Sequence, residues 1–182
     1  MKHDFDIIIV GAGHAGIEAA NICNKFGLKT ALISNKKDDI GKMSCNPSIG
    51  GVGKTHIARE VDVMGGLICK IGDISAIHYR VLNLSKGPAV WGIRAQIDRK
   101  LYQKNMYEFI SKSKISIIED EVTDILTNRS MVSGVNTKNN NKIYAKVVIL
   151  TTGTFLNGNI YFGMEKYEAG RINNKSSKKL AR

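Results

Sequence analysis

The sequence has few cysteines and no long apolar run, and these absences exclude several classes of protein. Three Cys in 182 residues are too few for a disulfide-rich secreted scaffold, and no two of them form the C-x-x-C spacing of a zinc site. No apolar run approaches the roughly 18 residues that a membrane span needs. The first apolar run begins at Phe5 and is broken at Gly11, so no secretory signal is indicated. We expect a globular intracellular protein that does not contact a membrane.

Acidic and aromatic residues are also scarce. The chain has 27 Lys and Arg against 16 Asp and Glu, which gives a formal charge of +11. This excess favours a polyanionic partner, because each neutralised phosphate releases counterions. Many lysines, however, stand beside Asn, as in residues 138–142, and such stretches are typical of solvated loops. Aromatic residues are 7% and are not interleaved with basic ones, so the sequence indicates no stacking platform for single strands.

Residues 5–34 predict a βαβ unit. Asp6–Val10 is short, rich in β-branched residues and followed by glycine, as expected of a buried strand. Residues 17–26 predict a helix that Gly27 terminates. Thr30–Ser34 predicts a second strand, parallel to the first.

Residues 11–16 match the pattern G-x-G-x-x-G between the first strand and the helix. In this pattern Gly11 permits the tight turn, Gly13 lets the backbone approach a diphosphate, and Gly16 lets the helix pack near the strand. The helix N-terminus then presents free N–H groups and partial positive charge to the phosphates. The context favours dinucleotide binding over an ordinary glycine-rich turn.

Two further observations concern which dinucleotide binds. The second strand ends in the neutral pair Ser34-Asn35, where an NAD dehydrogenase usually carries an acidic residue for the ribose. This leaves ribose recognition open. The apolar run Val147–Leu150 should return to the buried parallel sheet. The Thr151-Thr152-Gly153 turn that follows it resembles the second fingerprint of FAD-binding flavoproteins with two dinucleotide-binding folds, which favours FAD over NAD.

The remaining segments complete the predicted organisation. The fold class is α/β, a Rossmann-like FAD-binding domain with a small β-meander, incomplete at its C-terminus. Within it, Arg94–Lys112 predicts one helix, Asn139-Asn140 a hairpin turn, and the chain ends in a helix that includes Lys178. The predicted segments after the βαβ unit are a polar, glycine-rich cysteine loop 35–56, helical segments 57–112, a β-meander of four strands with its return strand 113–153, and a basic tail 165–182.

Part of the cysteine loop almost matches a phosphate-binding loop. Residues Ser48–Thr55 fit G-x-x-x-x-G-K-[ST] except at the first position, which is Ser48. No apolar strand precedes the segment in the sequence, although such a strand is needed to direct the loop. The sequence therefore does not favour a nucleoside triphosphate site here.

Cys45 is the candidate reactive cysteine. It stands in the polar loop, whereas Cys23 lies in the first predicted helix and Cys69 closes an apolar run, so we expect those two thiols to be inert and packed in the core. A loop thiol beside basic residues such as Lys42 and Lys54 favours a nucleophile. The alternative role for Cys45 is a structural contact with a flavin ring.

Several motifs appear in an order that resembles the GidA/MnmG family, from about Asp4 to the end of the chain. Members of that family are the FAD-dependent large subunit of the enzyme that installs carboxymethylaminomethyl groups at C5 of the tRNA wobble uridine. The cysteine-loop and Gly-Pro-Ala-Val motifs are more specific than the glycine pattern. The motifs that carry the resemblance are residues 11–16, Met43–Gly51, Lys86–Val90, Arg94–Arg99 and Thr152–Gly158.

The resemblance implies roles for particular residues. Val122 matches the position whose backbone meets the adenine end of FAD, and Ser177 matches a further flavin contact, although Asn173–Ser176 replaces the usual Gly-Asp-x-Pro before it. Cys45 matches a candidate nucleophile toward the uracil ring. The diphosphate would be held by Gly11, Ala12, Gly13, His14, Ala15 and Gly16.

The resemblance also implies partners. The family uses NADH as reductant and a folate methylene group, acts on tRNA, and forms a homodimer that pairs with an MnmE-type GTPase, giving a heterotetramer. The NADH-binding region of the family has no counterpart within these 182 residues, so we expect an N-terminal fragment, inactive alone. We expect a cytoplasmic location, or a mitochondrial one in a eukaryote.

Three other functions remain to be distinguished. The nearest is the related FAD- and folate-dependent tRNA uridine methyltransferase, but the loop Ser44–Pro47 argues against it. A flavin disulfide reductase would need a second cysteine two to five residues from Cys45, and none is there. A basic RNA-binding or dimerisation fragment without catalysis is the non-enzymatic alternative.

Overall fold

A computed structural model of the chain describes residues 3–181. These residues form two compact units, one made of residues up to Asp39 and from Lys114 onward, the other of Ile40–Ser113. The helices are α1 His14–Lys25, α2 Lys54–Val63, α3 Leu67–Ile74 and α4 Arg99–Ser111. The strands are β1 Phe5–Val10, β2 Thr30–Ser34, β3 Ser48–Gly50, β4 Ala76–Leu82, β5 Gly92–Ile97, β6 Ser116–Glu119, β7 Val122–Asn128, β8 Met131–Thr137, β9 Lys142–Leu150, β10 Ile160–Phe162, β11 Glu165–Tyr167, β12 Ala169–Arg171 and β13 Asn174–Lys175.

The first unit is built on a sheet with the strand order β6-β2-β1-β9-β8-β7. Strands β6, β2, β1 and β9 are parallel, whereas β9, β8 and β7 form an antiparallel meander. Strand β9 serves both parts: residues 142–144 pair with β8, and residues 145–150 pair with β1. The predicted α/β class and βαβ unit are therefore confirmed. The predicted meander is confirmed for β7, β8 and β9, whereas the first strand predicted there, β6, instead joins the parallel sheet beside β2.

One apolar cluster joins the parallel strands to the meander. The buried side chains of Ile8, Val10 and Ile33 come from the parallel strands, and those of Val122 and Val135 come from the meander. Burying each such side chain contributes roughly 1.5–3 kcal/mol. The parallel pairing predicted for residues 147–150 is confirmed, but their expected burial is wrong in part, because Val147 is 48% exposed and Leu150 is 42% exposed.

Helix α1 ends where glycine was expected to end it. Gly27 has φ +74°, and its amide donates to the carbonyl of Asn24. The amide of Leu28 then donates to the carbonyl of Cys23 at 3.1 Å. The left-handed residue and the two capping bonds stop the helix and direct the chain into β2.

The second unit corrects two predictions. Residues 57–112 are not wholly helical, since β4 and β5 pair antiparallel within a sheet of order β3-β5-β4. The predicted helix Arg94–Lys112 is wrong in its first turn: residues 94–97 belong to β5, where buried Ala95 and Ile97 alternate with half-buried side chains. Helix α4 starts only after Asp98, whose carboxylate accepts hydrogen bonds from the amides of Lys100 and Leu101. This N-cap marks the true helix start.

Two other segments contain more regular structure than the sequence predicted. The cysteine loop 35–56 includes β3 and the first residues of α2. The basic tail 165–182 forms parts of two β-hairpins, β10–β11 and β12–β13, and residues 179–181 form a bend and turn instead of the expected helix. Arg182 lies outside the described residues. The hairpin turn at Asn139-Asn140 is confirmed, with Asn140 at φ +59° between β8 and β9.

Candidate functional site

The glycine turn, residues 11–16, lies at the carboxyl end of β1. Strand β1 is flanked by β2 on one side and β9 on the other, so the strand order reverses at this point. Open α/β sheets bind ligands at such a switch point, outside the carboxyl ends of the strands. The amide of Gly11 donates to the carbonyl of Ile33 at 2.8 Å, which ties the turn to β2.

Thr151, at the carboxyl end of β9, closes the other side of the turn. Its hydroxyl lies 3.0 Å from the carbonyl of Val10 and 2.9 Å from that of Gly11, and its amide donates to Val10 at 2.9 Å. A Cβ added to Gly16 would lie 1.9 Å from the Gly11 carbonyl oxygen and 2.7 Å from Thr151 Oγ1. A Cβ on Gly11, which has φ +106°, would lie 2.5 Å from the Thr151 carbonyl oxygen. Packing within the protein therefore explains both of these glycines.

Gly13 differs from the other two glycines of the motif. Its φ of −72° suits any residue, and a Cβ placed on it would meet no described atom within 4 Å. The fold therefore does not require glycine here, and the free space lies at the N-terminus of α1. The first N–H groups of a helix have no partner within it and attract anions. An open glycine cradle at this position fits a diphosphate.

Two other predicted contacts belong to the same unit. The side chain of Val122 is 4% exposed and packs in the core cluster with Val10, so only its backbone is suited to face a ligand. Ser177 is 8% exposed and is fixed by its backbone: its amide donates to the carbonyl of Phe155 at 2.8 Å, and its carbonyl accepts from the amide of Asn157. Ser177 also bridges Leu156, next to the turn that follows β9.

The neutral end of β2 has an acidic neighbour that sequence reasoning missed. The parallel register pairs Ser34 with Glu119, the last residue of β6. The Ser34 hydroxyl donates to the carbonyl of Lys36, and a Glu119 oxygen accepts from the amide of Lys37 at 3.1 Å. A carboxylate therefore stands at the carboxyl edge of the sheet after all. Only strand pairing brings it there, so no sequence motif marked it.

In the second unit, Cys45 is exposed, as predicted. Its backbone carbonyl accepts a hydrogen bond from the guanidinium of Arg99, the first residue of α4. The Lys54 ammonium lies 3.4 Å from the carbonyl of Ser48. No sequence pattern indicates the contact between Arg99 and Cys45, because 54 positions separate the two residues. An exposed thiol on a loop anchored by its backbone is open to a substrate.

The other two thiols are less accessible. Cys23 is buried, and this burial raises the pKa of its thiol. Cys69 is half-buried, and its Sγ donates to the carbonyl of Ala58 at 3.4 Å. The prediction that Cys23 packs in the core is confirmed, whereas Cys69 lies at its margin.

Thr55 settles the role of the segment that resembles a phosphate-binding loop. No strand of the described residues leads into the segment, as expected from the sequence; the short strand β3 lies within it, at Ser48–Gly50. The Thr55 hydroxyl is buried and lies 2.8 Å from the carbonyl of Gly51 and 2.7 Å from that of Ile93, and it accepts from the Gly51 amide at 2.9 Å. A phosphate-binding loop needs this hydroxyl for Mg²⁺. In this chain it instead fixes the shape of the glycine-rich turn.

Residues 3–181 contain no cluster of three or more His, Cys, Asp and Glu side chains suited to a metal ion. None of the helices in that range is both long and apolar enough to cross a bilayer.

Relatives with assigned functions cover nearly all of this chain. It is 48% identical to the mitochondrial 5-taurinomethyluridine-[tRNA] synthase subunit MTO1 of Macaca fascicularis, over 97% of this chain and 27% of that protein. It is also 48% identical to the tRNA uridine 5-carboxymethylaminomethyl modification enzyme MnmG of Buchnera aphidicola, over 97% of this chain and 28% of that protein. The chain thus spans less than a third of the length of these relatives.

Solved structures agree with this similarity. GidA of Aquifex aeolicus superimposes with a TM-score of 0.93 at 42% identity, over 97% of this chain and 30% of that one. PqsL of Pseudomonas aeruginosa, described as a probable FAD-dependent monooxygenase, shares the fold with a TM-score of 0.58 at 13% identity, over 84% of this chain and 43% of that one. The model of the family "Glucose inhibited division protein A" matches residues 6–182. The sequence motifs, the fold and these matches together show that the chain belongs to the GidA family.

Proposed function

We propose that this chain supplies the FAD diphosphate site and a reactive cysteine to an enzyme that modifies uridine in tRNA. The observation that carries the proposal is the open space at Gly13, next to two glycines that the protein's own packing requires. Membership of the GidA family gives the reaction class, since both relatives named above are tRNA uridine enzymes.

The glycine turn would bind the diphosphate through backbone amides. Gly13 leaves the approach free, and the N-terminus of α1 offers the partial positive charge that two phosphates require. Ala12, His14 and Ala15 complete the turn. The Val122 backbone would face the adenine end, and Ser177 would make a further contact with the cofactor. Once bound, FAD supplies hydride-transfer chemistry.

Cys45 would act on the uracil ring. Carbon 5 of uracil is a poor nucleophile until a group adds at carbon 6. Addition of the Cys45 thiolate forms an S–C6 bond, and the C5–C6 π electrons move into the enolate of the neighbouring carbonyl, which makes C5 nucleophilic. Loss of the thiolate and of the C5 proton later restores the ring. Exposure of the thiol and anchoring of its carbonyl by Arg99 support this role.

For the product of the reaction, our proposal follows the name of the bacterial relative, MnmG. We propose that the group added at C5 is carboxymethylaminomethyl, that NADH is the reductant, and that the protein works as a homodimer with a GTPase of the MnmE type. The mitochondrial relative is named for a taurinomethyl product, so the amine incorporated is the point at which the two relatives differ. A plain methyl group at C5 is the alternative product.

The first experiment is an absorbance scan of the purified intact protein. Flavin bands at about one FAD per chain are expected, and a protein without flavin bands after reconstitution with FAD would refute the cofactor assignment. Mass spectrometry of nucleosides from tRNA modified by the protein and its partner then distinguishes carboxymethylaminomethyl, taurinomethyl and methyl uridine.

The second experiment tests Cys45. The Cys45→Ser variant should retain its flavin and fail to form modified uridine, because a serine hydroxyl is far less ionised than a thiol. Cys69→Ser is the matched control and should remain active. If Cys45→Ser is active and has normal flavin content, Cys45 is not the nucleophile. If Cys45→Ser loses flavin, a structural contact with the flavin ring is the better interpretation.

A further inference from the structure

Two successive β-hairpins, β10–β11 and β12–β13, form an exposed surface that, apart from Ser177, the functions above do not use. We call residues 160–179, which contain both hairpins, the hairpin surface. Its apolar and aromatic side chains are unusually open: Tyr161 is 64% exposed, Phe162 52%, Tyr167 46% and Ile172 60%. Met164, at the first hairpin's tip, is 99% exposed. Exposed apolar groups clustered in this way mark an interaction site.

The strand register places aromatic and basic side chains together. Tyr161 pairs with Lys166 across the first hairpin, so the two side chains share one face. On the other face Phe162 and Tyr167 stack edge to face, with 5.7 Å between ring centroids. Both faces therefore carry an aromatic ring open to solvent. Strand pairing adds Tyr161 to the neighbourhood of Lys166, a proximity between residues five positions apart that the sequence pattern did not indicate.

The charge of this surface is positive. It contains five basic residues against Glu165 and Glu168, a net charge of +3. Glu168 is paired with Lys178, and Glu165 accepts a hydrogen bond from the Tyr167 hydroxyl. The other basic residues are Lys166, Arg171, Lys175 and Lys179, of which Arg171 lies over the Phe155 ring at 5.6 Å.

We propose that the hairpin surface binds RNA, with unpaired bases stacked on its aromatic rings and the backbone phosphates held by its lysines. Aromatic rings combined with cations are the usual means of binding single strands, because every base has a π-face and every nucleotide a phosphate. This inference rests on the proposed function, in which tRNA is the substrate, and it adds where the unpaired loop of that RNA is held.

A second copy of this chain fits the same surface less well. A two-fold interface is self-complementary, so two copies joined here would bring the same net positive surfaces face to face. A polyanion meets no such repulsion and gains from counterion release. The charge therefore favours RNA over self-association.

Binding of RNA to the intact flavin-loaded protein tests the proposal. The probes are a tRNA anticodon stem-loop and a fully paired RNA duplex of equal length, each measured at several salt concentrations. The variants are Tyr161→Ala with Phe162→Ala, and Lys166→Ala with Lys175→Ala. Matched controls are Phe26→Ala, an aromatic residue 76% exposed at the end of α1, and Lys36→Ala with Lys142→Ala.

The aromatic pair of substitutions should weaken stem-loop binding about tenfold and leave duplex binding within about twofold, because only unpaired bases stack. The aromatic swap Tyr161→Phe with Phe162→Tyr should restore affinity. The lysine pair should weaken both probes and reduce the slope of log K against log salt by about 0.7–0.9 per lysine. The controls should match the unmodified protein.

The outcomes separate this proposal from the one on which it rests. If the unmodified protein binds neither probe, the tRNA function fails. If it binds the stem-loop and the hairpin variants, with normal flavin content and circular dichroism, bind equally well, the hairpin surface is not the RNA site. If the aromatic variant changes only the oligomeric state measured by sedimentation, the surface is a subunit interface and the proposal is overturned.

Discussion

The glycine turn and the cysteine loop are both glycine-rich, yet different kinds of contact fix their shapes. In the glycine turn, backbone atoms approach so closely that a Cβ on Gly16 would lie 1.9 Å from a carbonyl oxygen. In the cysteine loop, hydrogen bonds from two side chains fix the shape: the Thr55 hydroxyl bonds to the carbonyl of Ile93, and the Arg99 guanidinium donates to the carbonyl of Cys45. The first shape is set mainly by close main-chain packing, which leaves no room for a side chain at Gly11 or Gly16, whereas the second depends on particular polar side chains.

The largest expected effect separates the roles of two glycines in one motif. Gly16→Ala should destabilise the protein by at least about 3 kcal/mol, because the new methyl group overlaps backbone atoms that cannot move aside cheaply. Gly13→Ala should change the stability of the flavin-free protein by less than about 0.5 kcal/mol, since its φ is ordinary and the space is open. Thermal unfolding without flavin measures both.

The flavin content of the same two variants sharpens the comparison. Gly13→Ala should fold and bind FAD at least about tenfold more weakly, because its methyl group occupies the space through which a diphosphate approaches. Unchanged FAD affinity in a folded Gly13→Ala protein would mean that the open space at Gly13 has another purpose. Gly27→Ala, at a glycine outside the motif, controls for the loss of a glycine and should leave FAD affinity unchanged.

A smaller effect compares the two threonines that organise the two regions. Thr55→Val removes a buried hydroxyl that lies within hydrogen-bond distance of two carbonyls and one amide, so it should cost about 1–3 kcal/mol. Trp91, the single tryptophan of the chain, lies in the same unit, and its fluorescence should report this loss as a lower midpoint of unfolding. Ile57→Val, at a 65% exposed position of α2, is the control.

Thr151→Val should behave differently from Thr55→Val. It removes the hydroxyl contacts with Val10 and Gly11 and loosens the glycine turn, so FAD affinity should fall. The midpoint of the unfolding transition that Trp91 fluorescence reports, here called the Trp91 transition, should not change. Equal shifts of the Trp91 transition in the two variants would show that the two regions are not stabilised separately.

The sequence was sufficient to predict the glycine turn, because the residues that determine this turn are close together in the chain. A β-branched strand, three spaced glycines and a helix occupy residues 5–34, and each element was predicted from its own residues. The meander was predicted for the same reason, with alternating strands and a polar turn at Asn139-Asn140. The structural role of Thr151 in this unit could not be predicted. Its hydroxyl contacts the carbonyls of Val10 and Gly11, which lie about 140 positions earlier in the sequence.

The second unit was predicted less well because its determining contacts are distant in sequence. The sequence-based helix includes residues 94–97 of β5, whereas the buried face of α4 is formed by Tyr102, Met106 and Ile110, and its N-cap is Asp98. The hydrogen bond between Arg99 and Cys45 joins two segments that no local pattern links. The exposure of Cys45 was predicted from the polarity of its loop, but the anchor that positions it was not.

Loss of that anchor should have a modest, local effect. Arg99→Gln should speed amide hydrogen exchange in residues 43–46 severalfold while changing global stability by less than about 1 kcal/mol, because the hydrogen bond is exposed. Arg59→Gln, at an exposed position of α2, should change neither quantity. Protection unchanged in Arg99→Gln would show that the loop keeps its shape without the Arg99 side chain.

The smallest expected effect is a pH dependence confined to the first unit. The pKa of Asp6, at the start of β1, is lowered by its hydrogen bond with the Lys146 ammonium and then by that with the Lys29 amide. A carboxyl group whose pKa is lower in the folded state stabilises the fold above its unfolded pKa of about 3.9, and this contribution disappears as the pH falls through the folded value. Asp6→Asn should therefore lower the melting temperature near pH 6, and the difference should shrink as the pH falls through the lowered folded pKa of Asp6. The Trp91 transition should stay unchanged throughout, since Trp91 lies in the other unit. A difference between Asp6→Asn and the unmodified protein that is the same at every pH would show that the side-chain amide disturbs packing and that the charge on Asp6 contributes nothing.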